Sequence, residues 1–262
     1  MTDLTAAAIA PHLRTAWLGR ELHSFAELDS TNTTARELAK AGAAHGTAVI
    51  ADAQRRGRGR LGRAWASPAG KNLYLSVVLR SDLPLSRLAE ISLLAGVATC
   101  ETVREWCAAE IKWPNDILAG GRKVVGILAE MDGSDAGAVV VLGIGVNLNA
   151  ELADFPEELR EKAGSLRLAG GALVDRAAFT GRLLNNLELR YEQWRRGGFA
   201  PIAAAWRGLT ALIGRRIRIQ EPGAIVEGTV IDIAEDGALR VRLAGGEEHR
   251  VVAGDVTVLD GY

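Results

Sequence analysis

Between two β-rich runs, residues 47–53 (TAVIADA) and 72–79 (NLYLSVVL), lies QRRGRGRLGRAW at 54–65, a stretch with three glycines and five arginines. So many charges cannot enter an apolar core, so this segment must be a loop joining two strands. Its glycines allow tight turns and present backbone N–H groups, while its arginines supply charge and bidentate donors for phosphate or carboxylate. The loop is built to close over an anion. A solvated basic surface loop and an RGG-like RNA-binding stretch are the alternatives. The position between two apolar strands, and a final Trp65 able to cover a planar ligand, favour the anion site.

Nothing else in the chain points to a polyanion partner. The 262 residues carry 31 basic and 32 acidic side chains, a net charge of −1, so nucleic-acid binding is not expected and any would have to be local. At 48% hydrophobic and 24% charged, the sequence is that of a folded chain throughout, long enough for one large domain and a small appendage. No apolar run approaches the ~20 residues of a membrane span, and no signal-type segment opens the chain, so a cytoplasmic location is expected. Cys100 and Cys107 lack CxxC spacing and read as reduced thiols; with the histidines scattered, no metal-ligating cluster is legible.

Residues 30–40 (STNTTARELAK) begin with helix-capping side chains and stop at Gly42, which predicts a short helix. Leu73, Leu75, Val77 and Leu79 share one face at period two, predicting a half-buried strand. Residues 86–110 read as the longest helix, with Ser86 as N-cap. Strands follow at 111–113, 123–130 and 138–147, the last two joined as a hairpin through DGSDAG. A further helix over 175–196 carries the stripe Phe179, Leu183, Leu187, Tyr191 and Trp194. From about Leu212 the texture changes to short strands with turn signals between them, predicting a small barrel-like β domain packed on the larger one.

Two further segments carry chemistry. In KWPND at 112–116, Pro114 ends a strand, and Gly120 with Gly121 reverses the chain, which brings Lys112, Asp116 and Lys123 to one rim. GIGVN at 143–147 sets two glycines inside a strong strand, a costly choice unless something must approach closely. It is not a dinucleotide fingerprint, and the GxxxxGK[ST] phosphate loop is absent.

Taken together, STN at 30–32, QxxGRGRxGRxW at 54–65, KWPND at 112–116, KxxGIL at 123–128 and GIGxN at 143–147 resemble, in order and spacing, the biotin protein ligase family. The resemblance implies an α+β fold: a mixed sheet with helices on one face, like a class II synthetase, over residues 1–210, and a small SH3-like barrel over 211–262. It implies activation of biotin by ATP to biotinyl-AMP, then transfer to a lysine of a biotin carboxyl carrier protein, such as the carrier subunit of acetyl-CoA carboxylase. Mg²⁺ would accompany the phosphates.

By the same resemblance Ser30, Thr31, Asn32 and Gln54 line the biotin pocket with Arg58, Gly59 and Arg60, and Gly126, Gly143 and Gly145 give clearance. Arg60, Arg63, Trp65, Lys112, Asn115 and Asn147 lie at the adenylate. Lys123 neutralises the biotin carboxylate and α-phosphate, and Lys123, Arg58 and Asp116 form the catalytic set, with Asp116 near the acceptor lysine. The ligand loop would order on ligand. Only 29 residues precede Ser30, too few for the DNA-binding module of repressor members, so a monofunctional enzyme is expected. Family members often pair through the catalytic sheet, which makes a homodimer an expectation too. The related lipoate and octanoate ligases carry a glycine triplet followed by His-Asp, which does not occur here.

Overall fold

The computed structural model describes residues 4–81, 87–132, 138–221 and 223–260. Its helices are α1 (Ala6–Ile9), α2 (Thr31–Lys40), α3 (Leu88–Val103), α4 (Leu166–Gly170), α5 (Arg176–Gly197) and α6 (Ala200–Leu209). The strands β1 (Leu22–Leu28), β2 (Ala48–Gln54), β3 (Leu73–Ser81), β4 (Glu110–Lys112), β5 (Asp116–Ala119), β6 (Arg122–Asp132) and β7 (Ala138–Val146) form one mixed sheet, in the order β1-β2-β3-β7-β6-β5-β4. β1 and β2 run parallel, joined through α2, and the remaining pairs are antiparallel.

Helix ends follow the local chemistry. α2 stops in a Schellman arrangement: Ala43 N–H donates to Leu38 O and Gly42 N–H to Ala39 O, with Gly42 at φ 97°. α5 starts where Asp175 accepts a hydrogen bond from Ala178 N–H, and its predicted stripe is buried from Phe179 to Trp194. α5, at 22 residues, and not α3 is the longest helix described. α3 ends at Val103 because the chain turns through 104–109, where Arg104 Nε donates to Ala109 O, to enter β4. Ser86 and residues 133–137 of the hairpin turn lie outside the described residues.

The expected helices on one face are α3, α5 and α6, which share a core with Leu73, Leu75, Val77 and Leu79 of β3. α2 lies across a corner of the other face, where Ala35 and Ala39 cover Val49, Val78 and Val141. β3 is therefore buried on both faces rather than half-buried, since Ser76 and Val78 point into the α2 side. β5 was hidden in the sequence by its neighbouring turn residues. The reversal falls where expected, at Gly120 (φ 57°) and Gly121 (φ 74°).

Strands β8 (Arg216–Glu221), β9 (Ala224–Ile233), β10 (Leu239–Arg242), β11 (Glu248–Val251) and β12 (Asp255–Val258) make an open antiparallel sheet ordered β11-β10-β9-β8-β12. Its Ile217, Ile219, Val230, Leu239 and Val241 join the main core. Trp113 is the joint: the buried indole donates from Nε1 to Gly237 O at 3.1 Å. Gly237 in turn sits against Leu93 of α3 and Phe199.

Trp113→Phe should keep the ring but strand the Gly237 carbonyl, costing about 1 kcal/mol, whereas Trp113→Ala should cost ~3–5 kcal/mol by opening a cavity between the two sheets. Urea unfolding measures both, and an alanine variant as stable as the native chain would show that the indole is not the joint.

Candidate active site

The functional residues gather on the α2 face of the sheet. Because side chains alternate along a strand, Gly126, Leu128 and Glu130 of β6 share that face with Val141, Gly143 and Gly145 of β7. The strand register sets Gly126 beside Gly145, Leu128 beside Gly143 and Glu130 beside Val141. Three glycines in two neighbouring rows thus open a floor beside the Leu128 side chain. A Cβ at Gly145 would come within 2.6 Å of Trp65 Nε1, and one at Gly126 within 2.7 Å of the Trp65 ring; one at Gly143 would run into the Asn32 amide.

One wall is the N-terminus of α2, where Ser30, Thr31 and Asn32 are all buried. Ser30 occupies the N-cap position, but its hydroxyl makes no capping bond. Thr31 N–H donates to Gln54 Oε1 at 2.9 Å, and Gln54 Nε2 donates to Ser67 Oγ at 3.0 Å, so the Gln54 amide has one orientation. Asn32 Oδ1 lies 2.6 Å from Ser76 Oγ, and Asn32 Nδ2 donates to Glu130 Oε2 at 2.7 Å. Ser76 and Glu130 were not singled out in the sequence. A polar residue on the glycine face of an apolar strand is the signal that would have found both.

The lid is the arginine loop, folded as a hairpin. Arg58 pairs with Ala64, Gly59 N–H donates to Arg63 O at 2.7 Å and Trp65 N–H to Gly57 O at 2.9 Å. Leu61 (φ 56°) and Gly62 (φ 73°) turn the tip, and Leu61, 74% exposed, takes a left-handed conformation costing ~1–2 kcal/mol. Trp65, at the base, lays its ring on the floor with Lys123 Nζ 5.5 Å from the ring centroid. Its buried Nε1 has no hydrogen-bond partner among the described residues.

Arg58, Arg60, Arg63 and Lys123 of the predicted set each meet an acceptor. Arg58 Nη2 donates to Glu130 Oε2 at 2.9 Å, Arg60 Nη1 donates to Asn115 Oδ1 at 2.8 Å, and Arg63 pairs with Asp255 of β12. Lys123 Nζ lies 2.6 Å from the buried Oδ1 of Asp116. Burial pulls the Lys112 ammonium below the ordinary lysine value; Lys123 and Arg63 push the same way, while Asp116 and Asp255 oppose. Burial likewise lowers Arg60. Lys112, Asp116 and Lys123 therefore do share a rim, together with Asn115, whose Nδ2 donates to Ile127 O.

Asn147 follows the glycines of β7, and its backbone N–H donates to Val124 O, next to Lys123. Its buried amide donates to Gly164 O at 3.0 Å and accepts from Asn72 Nδ2 at 3.5 Å, bracing the segment that follows β7. Gly59 has ordinary clearance and serves the hairpin rather than the floor. Among the described residues no group of three or more His, Cys, Asp or Glu side chains converges as a metal site.

Comparison with known proteins bears directly on this arrangement. Residues 24–147 match the model of the biotin/lipoate A/B protein ligase family, and residues 212–259 match that of the biotin protein ligase C terminal domain. The chain is 40% identical to the biotin–acetyl-CoA-carboxylase ligase of Mycobacterium tuberculosis over 248 residues, covering 92% of this chain and 90% of that one. It is also 40% identical over 230 residues to the bifunctional ligase/repressor BirA of Bacillus subtilis, 87% of this chain and 71% of that protein. A biotin protein ligase from Aquifex aeolicus, solved in complex with biotin and ATP, superposes with a TM-score of 0.78 at 26% identity over 91% of this chain and 98% of that one.

Proposed function

We infer the function from family membership, for the chain belongs to the biotin protein ligase family. It activates biotin with ATP, the carboxylate displacing pyrophosphate from the α-phosphate, and passes the biotinyl group to a lysine amine with release of AMP. The acceptor is a biotin carboxyl carrier protein, as the carboxylase ligase relatives suggest. The observation that carries this reading is the meeting of three unlike groups on one glycine floor: the Asn32 amide, the Trp65 ring and the Lys123 ammonium. They suit a ureido ring, an apolar chain and a carboxylate in that order.

The residues divide the work as follows. The Asn32, Thr31 and Gln54 network holds the polar end of biotin, and the slot between Trp65 and the glycines takes its flat body. Trp65 must lift for that, which the unpaired indole N–H favours, because leaving it unpaired costs roughly 1–3 kcal/mol where the ring now rests. Arg60, Arg63, Lys112 and Lys123 surround the region where two anions must be brought together, so fixed positive charge lowers the barrier. Mg²⁺ enters with the ATP phosphates as part of that substrate.

An incoming anion competes with Asp116 for Lys123. Once substrate has taken the ammonium, the Asp116 carboxylate is free to pair with the acceptor amine, which is protonated at neutral pH and must lose that proton before it attacks.

The direct test is incubation with biotin, Mg-ATP and an isolated carrier domain; a gain of one biotinyl group by mass supports the assignment, and no gain with any carrier domain defeats it. Lys123→Ala should slow biotinyl-AMP formation by ~10²-fold or more, the scale of one lost electrostatic stabiliser. Asp116→Asn should impair transfer from supplied biotinyl-AMP more than it impairs adenylation, with the defect shrinking as pH rises. Equal slowing of both steps in single-turnover assays would remove Asp116 from the proton-transfer role. Gly145→Val should fold yet raise the biotin KM by ~10-fold or more, since its side chain occupies the slot; an unchanged KM would place biotin elsewhere.

A further inference from the structure

We propose that Glu130 is the positioning residue that sets the hydrogen-bonding polarity of the biotin end of the site and hooks the arginine loop over it. This rests on the reading of Asn32 as a biotin contact. Glu130 lies near the end of β6 on the glycine face, with its side chain 23% exposed. Its two oxygens serve three different parts of the chain. Oε2 accepts from Asn32 Nδ2 at 2.7 Å and from Arg58 Nη2 at 2.9 Å, while Oε1 lies 3.1 Å from Arg36 Nη2 of α2.

An ionised carboxylate can only accept hydrogen bonds. The Asn32 amide must therefore turn its NH₂ toward Glu130, and its carbonyl oxygen is left toward Ser76 Oγ and the floor at Gly143. Held in this way, Asn32 presents an acceptor over the floor, the complement of a ureido N–H. The same oxygen that orients Asn32 draws in Arg58 from the lid, so pocket polarity and lid closure share one atom. Arg36, which also approaches Asp132 at 3.7 Å, fixes the carboxylate from the helix side. Without the carboxylate, two guanidiniums would face one another across the space and the Asn32 amide would be free to flip.

Glu130→Gln keeps the shape, removes the charge and replaces one acceptor oxygen with a donor, so the orientation of Asn32 is no longer fixed and the charged pairs with Arg58 and Arg36 are lost. The biotin KM for adenylation should rise by ~10-fold or more, because a charged hydrogen bond that orders the biotin end is lost. A second readout separates positioning from general damage. A biotin methylated on a ureido nitrogen lacks the N–H that Asn32 accepts, and the preference of the native protein for biotin over it, as a ratio of kcat/KM values, should fall several-fold in the variant. Damage to the fold would lower both substrates together and keep that ratio. Calorimetric titration with biotin alone gives the same test on a variant too slow to assay, and Glu130→Met supplies a second neutral side chain of similar length. A biotin KM within twofold of native in the folded variants, or an unchanged preference ratio, overturns the role of Glu130. A native protein that forms no biotinyl-AMP overturns instead the function on which it rests.

Discussion

The site depends on a constraint of strand register. β6 and β7 are paired so that Gly126 meets Gly145, with Gly143 in the next row but one along β7. Where these glycines stand the backbone carries no side chain of its own, and Leu128, Ser76 and Tyr74 stand beside it. Such glycines weaken a strand, and they persist where another group must approach the backbone closely. The Asn32 amide and the Trp65 ring both do so. A one-residue slip would turn the glycines into the core and present Ile127 and Ile144 to the site, so the hydrophobic packing of the opposite face with α3 also protects the chemistry.

Around this floor the charges are arranged as an exchangeable set. Arg60 donates to the neutral Asn115 amide, while Arg58, Arg63 and Lys123 pair with Glu130, Asp255 and Asp116, which come from three separate places in the chain. These pairs are partly exposed, and ion pairs of that kind contribute little to stability. Their value is that they keep cations concentrated without self-repulsion while remaining weak enough for substrate anions to replace the acids. Asp255 extends this logic to the C-terminal sheet, which contributes directly to the pairing of the lid.

That sheet is brought within reach by a division of labour inside KWPND. Trp113 points into the core and bonds to Gly237, whereas Lys112, Asn115 and Asp116 stay at the rim. One short motif thus docks the second sheet and furnishes the site. Placement of Asp255 opposite Arg63 follows from the docking of β8 to β12 through the shared core.

Much of this was legible in residue order because the signals are local. The glycine stop of α2, the stripe of α5, the five C-terminal strands and the glycine–arginine loop each depend on neighbours within a few positions, where backbone and side-chain preferences act directly. The family likeness, too, was carried by contiguous motifs, from STN to GIGVN. What only the tertiary structure decided are relations between distant segments. β3 looked half-buried because its period marks one apolar face and cannot show that α2 covers the other. β5 is four residues long and lies between turn formers, so only its pairing with β4 and β6 reveals it. Glu130, Ser76 and Asp255 carry no motif of their own. Their importance comes from meeting Asn32 and Arg63 across gaps of 44 to 192 residues, a proximity fixed by sheet order and core packing rather than by any preference written into the local sequence.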